Sequence, residues 1–468
     1  MRSYALILLF MVAVVLAFAS PFIGLLSWTS IVYVNPQHYV WGFGSGIRYV
    51  MIIAVVTIVS TVYHRAASRV DMTSSVIFFF LLVIWVSLTT IFAINTEDAF
   101  DIYIEIIKLF MLTIMTALLV NDPKKMNIFL AVLVGSIAFF GVKGGIFGIL
   151  SGGNQLVFGP PNSFIYANNA IALALIMMIP LLWYFSGAFQ SVYVRIASTA
   201  AIFLCTISIL ISYSRGALLG IGAMLFYWVM TSRHKAAGIV TMVAVGVFAL
   251  AFMPEEWMAR MESIENYEED GSAQSRLAMW GFAIEVAKDR LFGGGFGIFS
   301  MYDLYEQYGL DLDRIGYTAR SAHSIYFETL GQHGFIGLFL FLGFWFSVFR
   351  LLGRIRKAPD TDPQFVRLAF AIQASLVGYA VGGAFLNKAF EWPIAYQLAA
   401  VALVLQRLAK EQRVRAEGVN ESAPETGAST RPIPVGARRK KAVLSSTGGG
   451  RRLRPILRKR LSPEASDR

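Results

Sequence analysis

Long apolar stretches alternate with short polar breaks over most of the chain. Stretches long enough for a membrane-spanning helix fall at about 4–34, 47–63, 74–94, 102–120, 126–149, 164–186, 192–212, 216–231, 236–253, 333–349, 365–387 and 392–408. A hydrocarbon core about 30 Å thick takes roughly 20 apolar residues as helix. Backbone groups inside lipid must bond to one another, so each run predicts a helix. The first of the 12 runs is long enough for one tilted helix or a tight pair broken at Ser20-Pro21, which gives 12–13 spans. That run also resembles a secretion signal, with Arg2, an apolar stretch and Ala17-Phe18-Ala19. Pro21 through Leu26 nevertheless continue apolar with no soluble domain behind them, and a retained span is expected. The pattern predicts an all-α polytopic integral membrane protein.

The only long polar interruption lies between the ninth and tenth runs. The expected organisation is an N-terminal transmembrane bundle over 1–253, one large extracytoplasmic helical loop over 254–322, C-terminal transmembrane helices over 323–409, and a disordered basic tail over 410–468, rich in Pro, Gly, Ser and Thr. Composition agrees: 15% of residues are charged, against about 25% in soluble domains, and the mean hydropathy is +0.61. The formal net charge of +11 is concentrated in one place. From Gln406 onward there are 16 Lys/Arg against 6 Asp/Glu, leaving 24 against 23 in the rest. A near-neutral apolar body with a basic tail implies membrane lipid as a partner and no nucleic acid. It excludes a soluble enzyme, a fibrous repeat and a disulfide scaffold. Cys205, the single cysteine, sits in an apolar run and reads as an inert thiol.

Lys and Arg in the short loops set orientation. One set of loops holds Arg65 and Arg69, Lys124-Lys125, Arg233 with Lys235, and Arg350 through Lys357. The alternate set holds Glu97, Asp98 and Asp101, an uncharged Gly/Asn/Pro loop at 151–163, and the 254–322 segment with 13 acidic and 6 basic residues. The tail and the first set are expected in the cytoplasm, and the large loop outside.

Within that loop, Ser272 to Arg290 predicts an amphipathic helix with Leu277, Trp280, Ile284 and Ala287 on one face and Ser272 or Ser275 as its cap. Gly293-Gly294-Gly295-Phe296-Gly297 ends it. No Lys-Ser/Thr follows these glycines, so a hinge or close-packing role is expected rather than a phosphate cradle. Cations gather on the same side: Arg215 in Ser212-Tyr213-Ser214-Arg215-Gly216, Arg276 four residues before Trp280, and Arg320 with His323 where the loop re-enters the bilayer. Arginine at a membrane boundary often only snorkels, but several on one side of an acidic loop suit phosphate oxygens, which a guanidinium fork matches. Lys143, near the outer end of its run, is a further phosphate contact or a snorkelling lysine. His323 has the titration range of a general base, and equally that of a histidine anchoring a loop. Asp311-Leu312-Asp313 reads as a solvated acidic patch, and neither a metal nor another cofactor is expected.

His323-Ser324-Ile325-Tyr326-Phe327-Glu328-Thr329-Leu330-Gly331-Gln332-His333-Gly334-Phe335-Ile336-Gly337-Leu338 resembles the signature of the O-antigen ligase and polysaccharide polymerase superfamily. That signature is a His, a small polar residue, a Leu-rich helical stretch and Gly-x-x-Gly-Leu opening a span. Ser214-Arg215-Gly216 matches its second motif, and Arg276 with Trp280 before the glycine turn resembles its third. Ser324 stands where Asn is common, and Gln332-His333 replaces the usual Glu-Thr or Glu-His, making His333 a second candidate histidine. Pro21 through Leu26 with Tyr33-Val34-Asn35-Pro36, and Gly141-Val142-Lys143-Gly144-Gly145 leading to Gly159-Pro160-Pro161-Asn162-Ser163-Phe164 and Asn168-Asn169, are similar to the O-glycosylation ligases that accompany bacterial exosortase systems.

The resemblance implies a metal-independent glycosyltransferase working on the outer face of the inner membrane. Its donor would be an undecaprenyl-diphosphate-linked glycan and its acceptor a hydroxyl of a glycan, lipid or protein. His323 would be the base, Arg215 and Arg276 would hold the diphosphate, and Arg320, Lys143, Trp280 and Tyr213 would contact substrate. A polymerase of the same superfamily shares these residues. A transporter or flippase for lipid-linked sugars is the alternative of another class. It would place polar groups mid-bilayer, where this chain offers few: Glu105 and Lys108, spaced to pair, Gln373, and Asn387-Lys388 near an end.

Overall fold

The computed structural model describes residues 2–40, 42–153, 155–232, 235–252, 271–310 and 321–422. Among these residues the chain forms α-helices, short 3-10 turns and connecting segments, and no strand. The helices are α1 (Arg2–Ala19), α2 (Pro21–Val34), α3 (Tyr49–Tyr63), α4 (Ser74–Ile91), α5 (Thr96–Leu119), α6 (Pro123–Leu150), α7 (Asn168–Ala188), α8 (Val192–Leu210), α9 (Arg215–Thr231), α10 (Lys235–Phe252), α11 (Gly271–Asp289), α12 (Ile325–Lys357), α13 (Pro363–Gly382) and α14 (Pro393–Ser422). Each apolar run coincides with one of them, and the first with two. Seven, α4 to α8 with α12 and α13, are long and apolar enough to cross a membrane, and α1, α2, α3, α9 and α10 contain shorter apolar helical stretches. The chain is an all-α multi-pass membrane protein. Met1–Val419 forms one compact unit; of the second, Asn420–Arg468, only the end of α14 is described.

The first run breaks at Ser20, whose backbone is extended (φ −144°, ψ 110°) ahead of Pro21. Proline has no N–H to continue the ladder and is favoured at a helix's first position. α1 and α2 then both pack on α3: Phe10 meets Tyr49 edge-on at 4.7 Å, and Gly24 sits so close to Thr57 that a Cβ would lie 2.5 Å from its hydroxyl. α7 is the central helix, with residues Ala170 to Leu182 all buried, packed on α6, α8, α9 and α13. A helix surrounded by protein has no polar face, which is why this run is apolar all round. Two cases inside the spans illustrate how polar groups there are paired. Glu105 and Lys108 form an ion pair, and the Gln373 amide oxygen accepts from Tyr227 at 2.9 Å and Arg356 at 2.7 Å.

Successive helices alternate in direction, and contacts between connections identify two ends. At one end Asn35 bonds to Asn162, Asn168 to Ser212, and Ile94 to Gly294. At the other, Ser68 bonds to Leu118, Gln364 to Ala188, and Arg407 of α14 to Arg69 and Val120. α14 stays helical through Ser422. The tail boundary expected at 410 therefore falls inside a helix, because Arg407, Lys410 and Arg413 tie it to loops at that end: Lys410 pairs with Asp71 at 3.1 Å and Arg413 donates to Thr361 at 3.0 Å. Residues 423–468 of the basic tail lie outside the described residues.

α11 forms where an amphipathic helix was expected, but its buried face is rotated from the expected one. Met279, Phe282, Ala283, Val286 and Ala287 are buried, whereas Leu277 is 49% exposed. The cause is a small separate core that α11 builds with Ile298, Phe299, Tyr305 and Ala322 against the first piece of α12. Ser275 lies inside the helix and does not cap it, and the residues before Gly271 lie outside the described ones.

The glycines after α11 pack closely rather than hinge. The Gly294 and Gly295 amides donate to Gly331 O and Gln332 O at 2.9 Å, and Ile94 N donates to Gly294 O at 3.0 Å. Gly293 and Gly295 have φ of +67° and +83°, and a Cβ on Gly295 would stand 2.2 Å from Ala93 Cβ. α12 is broken where these glycines press against it: Gly334 takes φ 67°, ψ −173°, separating a short helical piece beginning at Ile325 from the span proper. The span thus opens at Gly-x-x-Gly-Leu as the motif implies, with a further helical piece ahead of it.

Candidate functional site

His323 lies between the small core of α11 and the start of α12. Trp280 of α11 fixes the residue before it: its Nε1 donates to Ala322 O at 2.8 Å, and its ring stacks on Phe327 at 4.6 Å and 10°. His323 itself has φ +44°. A non-glycine residue in the left-handed region stores strain that its surroundings must hold, and such residues gather at functional sites. Arg276 sits one turn before Trp280 on α11. Burial, and then the charge of Arg276, hold His323 below its ordinary titration range. Both causes favour the neutral imidazole. His323 Nδ1 is buried with no hydrogen-bond partner among the described residues.

Arg215 is the first residue of α9, whose N-cap Ser214 accepts from Ala217 N at 3.2 Å. The unpaired amides of a helix N-terminus attract anions, so the guanidinium and the helix end carry the same sign. The segment ahead of it is held rigidly. Asn168 donates to Ser212 O at 2.7 Å, and buried Tyr213, with φ +55°, donates from its hydroxyl to Gly153 O at 3.0 Å. The turn 383–385 joins the two halves. A Cβ on Gly216 would lie 2.8 Å from Phe385, and one on Gly383 would lie 2.9 Å from Ile325. The N-termini of α9 and α12, with Arg215 and His323 beside them, therefore flank one turn at the same end of the bundle.

Other candidates are placed differently. Trp280 and Tyr213, expected at substrate, are engaged in holding the His323 and Arg215 segments. Lys143 is exposed on α6 in a stripe with Phe139, Phe147 and Leu150, and among the described residues no contact brings it to Arg215, Arg276 or His323. Arg320, Asp311 and Asp313 lie outside the described residues. His333 is wholly buried: its Nδ1 is 2.6 Å from Thr89 Oγ1 and its ring is wedged between Phe296 and Phe390 at 4.7 and 4.8 Å. It locks the broken helix in place and has no access to a hydroxyl from solvent. Among the described residues no cluster of His, Cys, Asp or Glu has the makings of a metal site.

Residues that carried no role in the sequence complete the surroundings. Glu328, one turn beyond His323, is 8% exposed and accepts from Ala389 N at 3.0 Å, tying the segment after the 383–385 turn to the short helical piece. Trp85 Nε1 donates to His333 O at 2.8 Å, at the break. Single polar or aromatic residues inside apolar runs carry no local pattern, so only the Gly-x-x-Gly at 334–337 hinted at an interrupted helix there.

Two family models match the chain. Residues 1–189 match a family of unknown function (DUF5935), and residues 200–342 match the O-antigen ligase family. No curated protein matches the chain. The second match spans Arg215, Arg276, Trp280, His323 and the broken helix to Leu342. The match over residues 200–342 supports a membrane enzyme similar to the O-antigen ligase superfamily, of ligase or polymerase type.

Proposed function

We propose that this protein transfers a glycan from an undecaprenyl-diphosphate carrier to an acceptor hydroxyl on the periplasmic face of the bacterial inner membrane. The observation that carries the reading is the seat of His323: a strained, partly buried histidine kept neutral by burial and by an adjacent guanidinium. A neutral imidazole accepts the acceptor's hydroxyl proton as its oxygen bonds to the anomeric carbon. The bond from that carbon to the diphosphate breaks, and its electron pair leaves with the diphosphate. Arg215, with the N-terminus of α9, and Arg276 stabilise the negative charge that grows on the leaving group. A nearby cation lowers histidine basicity, but the same cation is neutralised once diphosphate binds, so donor binding itself raises the basicity of His323. Arg320, three residues before the base, is a further diphosphate contact in this scheme, and no metal ion is invoked. The acidic and uncharged segments at this end, opposite the Lys/Arg-rich connections, support the periplasmic assignment and a cytoplasmic C-terminus.

Within the superfamily the N-terminal motifs favour a ligase of the exosortase-associated kind over a polymerase. Incubating the purified protein with lipid-diphosphate glycan and candidate acceptors, and reading products by mass, separates them: a ligase gives one glycan on a foreign acceptor, a polymerase a ladder of repeats on the carrier. Arg215→Ala and Arg276→Ala are expected to abolish either product while leaving membrane insertion intact. Wild-type turnover in both variants overturns the diphosphate assignment.

A further inference from the structure

Two segments at the site end take no part in this chemistry, the one between α2 and α3 and the one between α6 and α7. Residues 35–48 contain no acidic residue and, besides His38, only Arg48 as a cation; 151–167 contain no ionisable side chain but Tyr166. They are built together. Asn35 Nδ2 donates to Asn162 O at 3.1 Å, Gln37 donates to Asn35 Oδ1, and Asn162 Nδ2 lies 3.4 Å from His38 Nδ1. Asn35 and Asn162 both have φ +53°, a conformation asparagine tolerates better than most residues. The second segment closes on itself through Gly159 N, which donates to Tyr166 O at 2.9 Å. A Cβ on Gly159 would lie 1.9 Å from Ile165 O, so this closure requires glycine.

Closure sets Phe158 and Tyr166 side by side, ring centroids 5.8 Å apart at 28°, and each about half exposed (50% and 49%). Beneath them Val157 is buried with Ile207, Leu210, Ile211 and Tyr213, so the aromatic pair stands on a firm base. Two buried oxygens at this end, Gln37 Oε1 and Asn169 Oδ1, have no hydrogen-bond partner among the described residues. Buried polar atoms rarely go unpaired. The surface leads directly to the site: Tyr213 to Gly153 and Asn168 to Ser212 tie this segment to the residues just ahead of Arg215.

Exposed aromatic faces, neutral amides and a histidine, with almost no charge, suit neither phosphate nor an acidic or basic partner. They suit a saccharide, whose C–H faces stack on aromatic rings and whose hydroxyls bond to amides. We infer that residues 35–39 and 158–169 form the binding surface for the donor's neutral oligosaccharide, next to the diphosphate at Arg215. The inference rests on the proposed function, because it takes the diphosphate to lie there. It gives a role in glycan recognition to the portion of the chain that matches a family of unknown function.

The test uses the full chain in lipid nanodiscs, with lipid-linked oligosaccharide extracted from the producing cells as donor and bare undecaprenyl diphosphate as competitor. Phe158→Ala with Tyr166→Ala is expected to raise KM for the oligosaccharide donor about tenfold, or about 1.4 kcal/mol, with Ki for the bare diphosphate unchanged. Both side chains are half exposed, and the unchanged Ki reports that the Arg215 segment is intact. An unchanged KM overturns the inference and assigns the ring pair to anchoring in the membrane interface. KM and Ki rising together also overturn it, since the loop then acts only by supporting Arg215. A wild-type protein that transfers from no donor overturns the proposed function itself, an outcome distinct from wild-type transfer with indifferent variants.

Discussion

Trp280 should govern how well His323 is held, and the structure sets the size of the effect. A residue such as His323 at φ +44° costs roughly 1–2 kcal/mol relative to ordinary backbone. Opposing this, the indole hydrogen bond to Ala322 O at 2.8 Å contributes about 1 kcal/mol. The parallel stack on Phe327 contributes about another 1 kcal/mol. The two terms nearly balance, so the segment is held with little to spare. Trp280→Phe keeps a ring on Phe327 and loses the hydrogen bond, which converts to about a fivefold smaller equilibrium constant for seating His323. Trp280→Ala loses both, about thirtyfold. With donor saturating, the single-turnover rate of glycan transfer should fall in that order while donor KM stays put, because the histidine moves and the diphosphate contacts do not. A Trp280→Phe protein with wild-type rate refutes the reasoning. So does one whose KM rises at unchanged rate, which makes Trp280 a substrate contact, as its position in the motif implies.

The other expectations follow from neighbouring groups. Arg276→Gln removes a positive charge that disfavours the imidazolium, so the His323 pKa, read by NMR titration of the free protein, rises; a pKa that stays in place or falls contradicts the pairing. Gly295→Ala adds a methyl 2.2 Å from Ala93 Cβ at φ +83° and should cost about 3 kcal/mol in unfolding experiments in detergent. Gly297→Ala, at φ +80° with its nearest atoms 3.7 Å away, carries only the backbone strain and should cost about 1 kcal/mol. Equal losses in the two glycine variants contradict the close-packing account.

Much of the fold was legible because lipid imposes a simple rule: apolar runs of the right length become helices, and Ser20-Pro21 marked the break inside the first run. What the runs did not carry was the structure around the site. The buried face of α11 was misread because its apolar residues serve a small core of their own, so Phe282 and Val286 turn inward and Leu277 does not. α14 outlasts its apolar stretch because Arg407, Lys410 and Arg413 find partners in loops distant in sequence. At the site, His323, Arg215 and Arg276 were named from motif residues, and the structure places the first two beside helix N-termini that flank one turn and Arg276 near the histidine. The hydrogen bonds of Trp280 and Tyr213 to backbone were not legible, since their partners are the carbonyls of Ala322 and Gly153. No side-chain pattern announces a backbone acceptor.

The central claim is that His323 is the base of a glycan transfer, and its most direct test is transfer by purified protein from a lipid-diphosphate glycan to acceptor, comparing wild type with His323→Ala inserted equally well in membrane. The account predicts a glycosylated acceptor and released lipid diphosphate from the wild type, and neither from the variant. Transfer by His323→Ala at the wild-type rate, or passage of lipid-linked sugar across vesicles by the wild type with no transfer product, contradicts it.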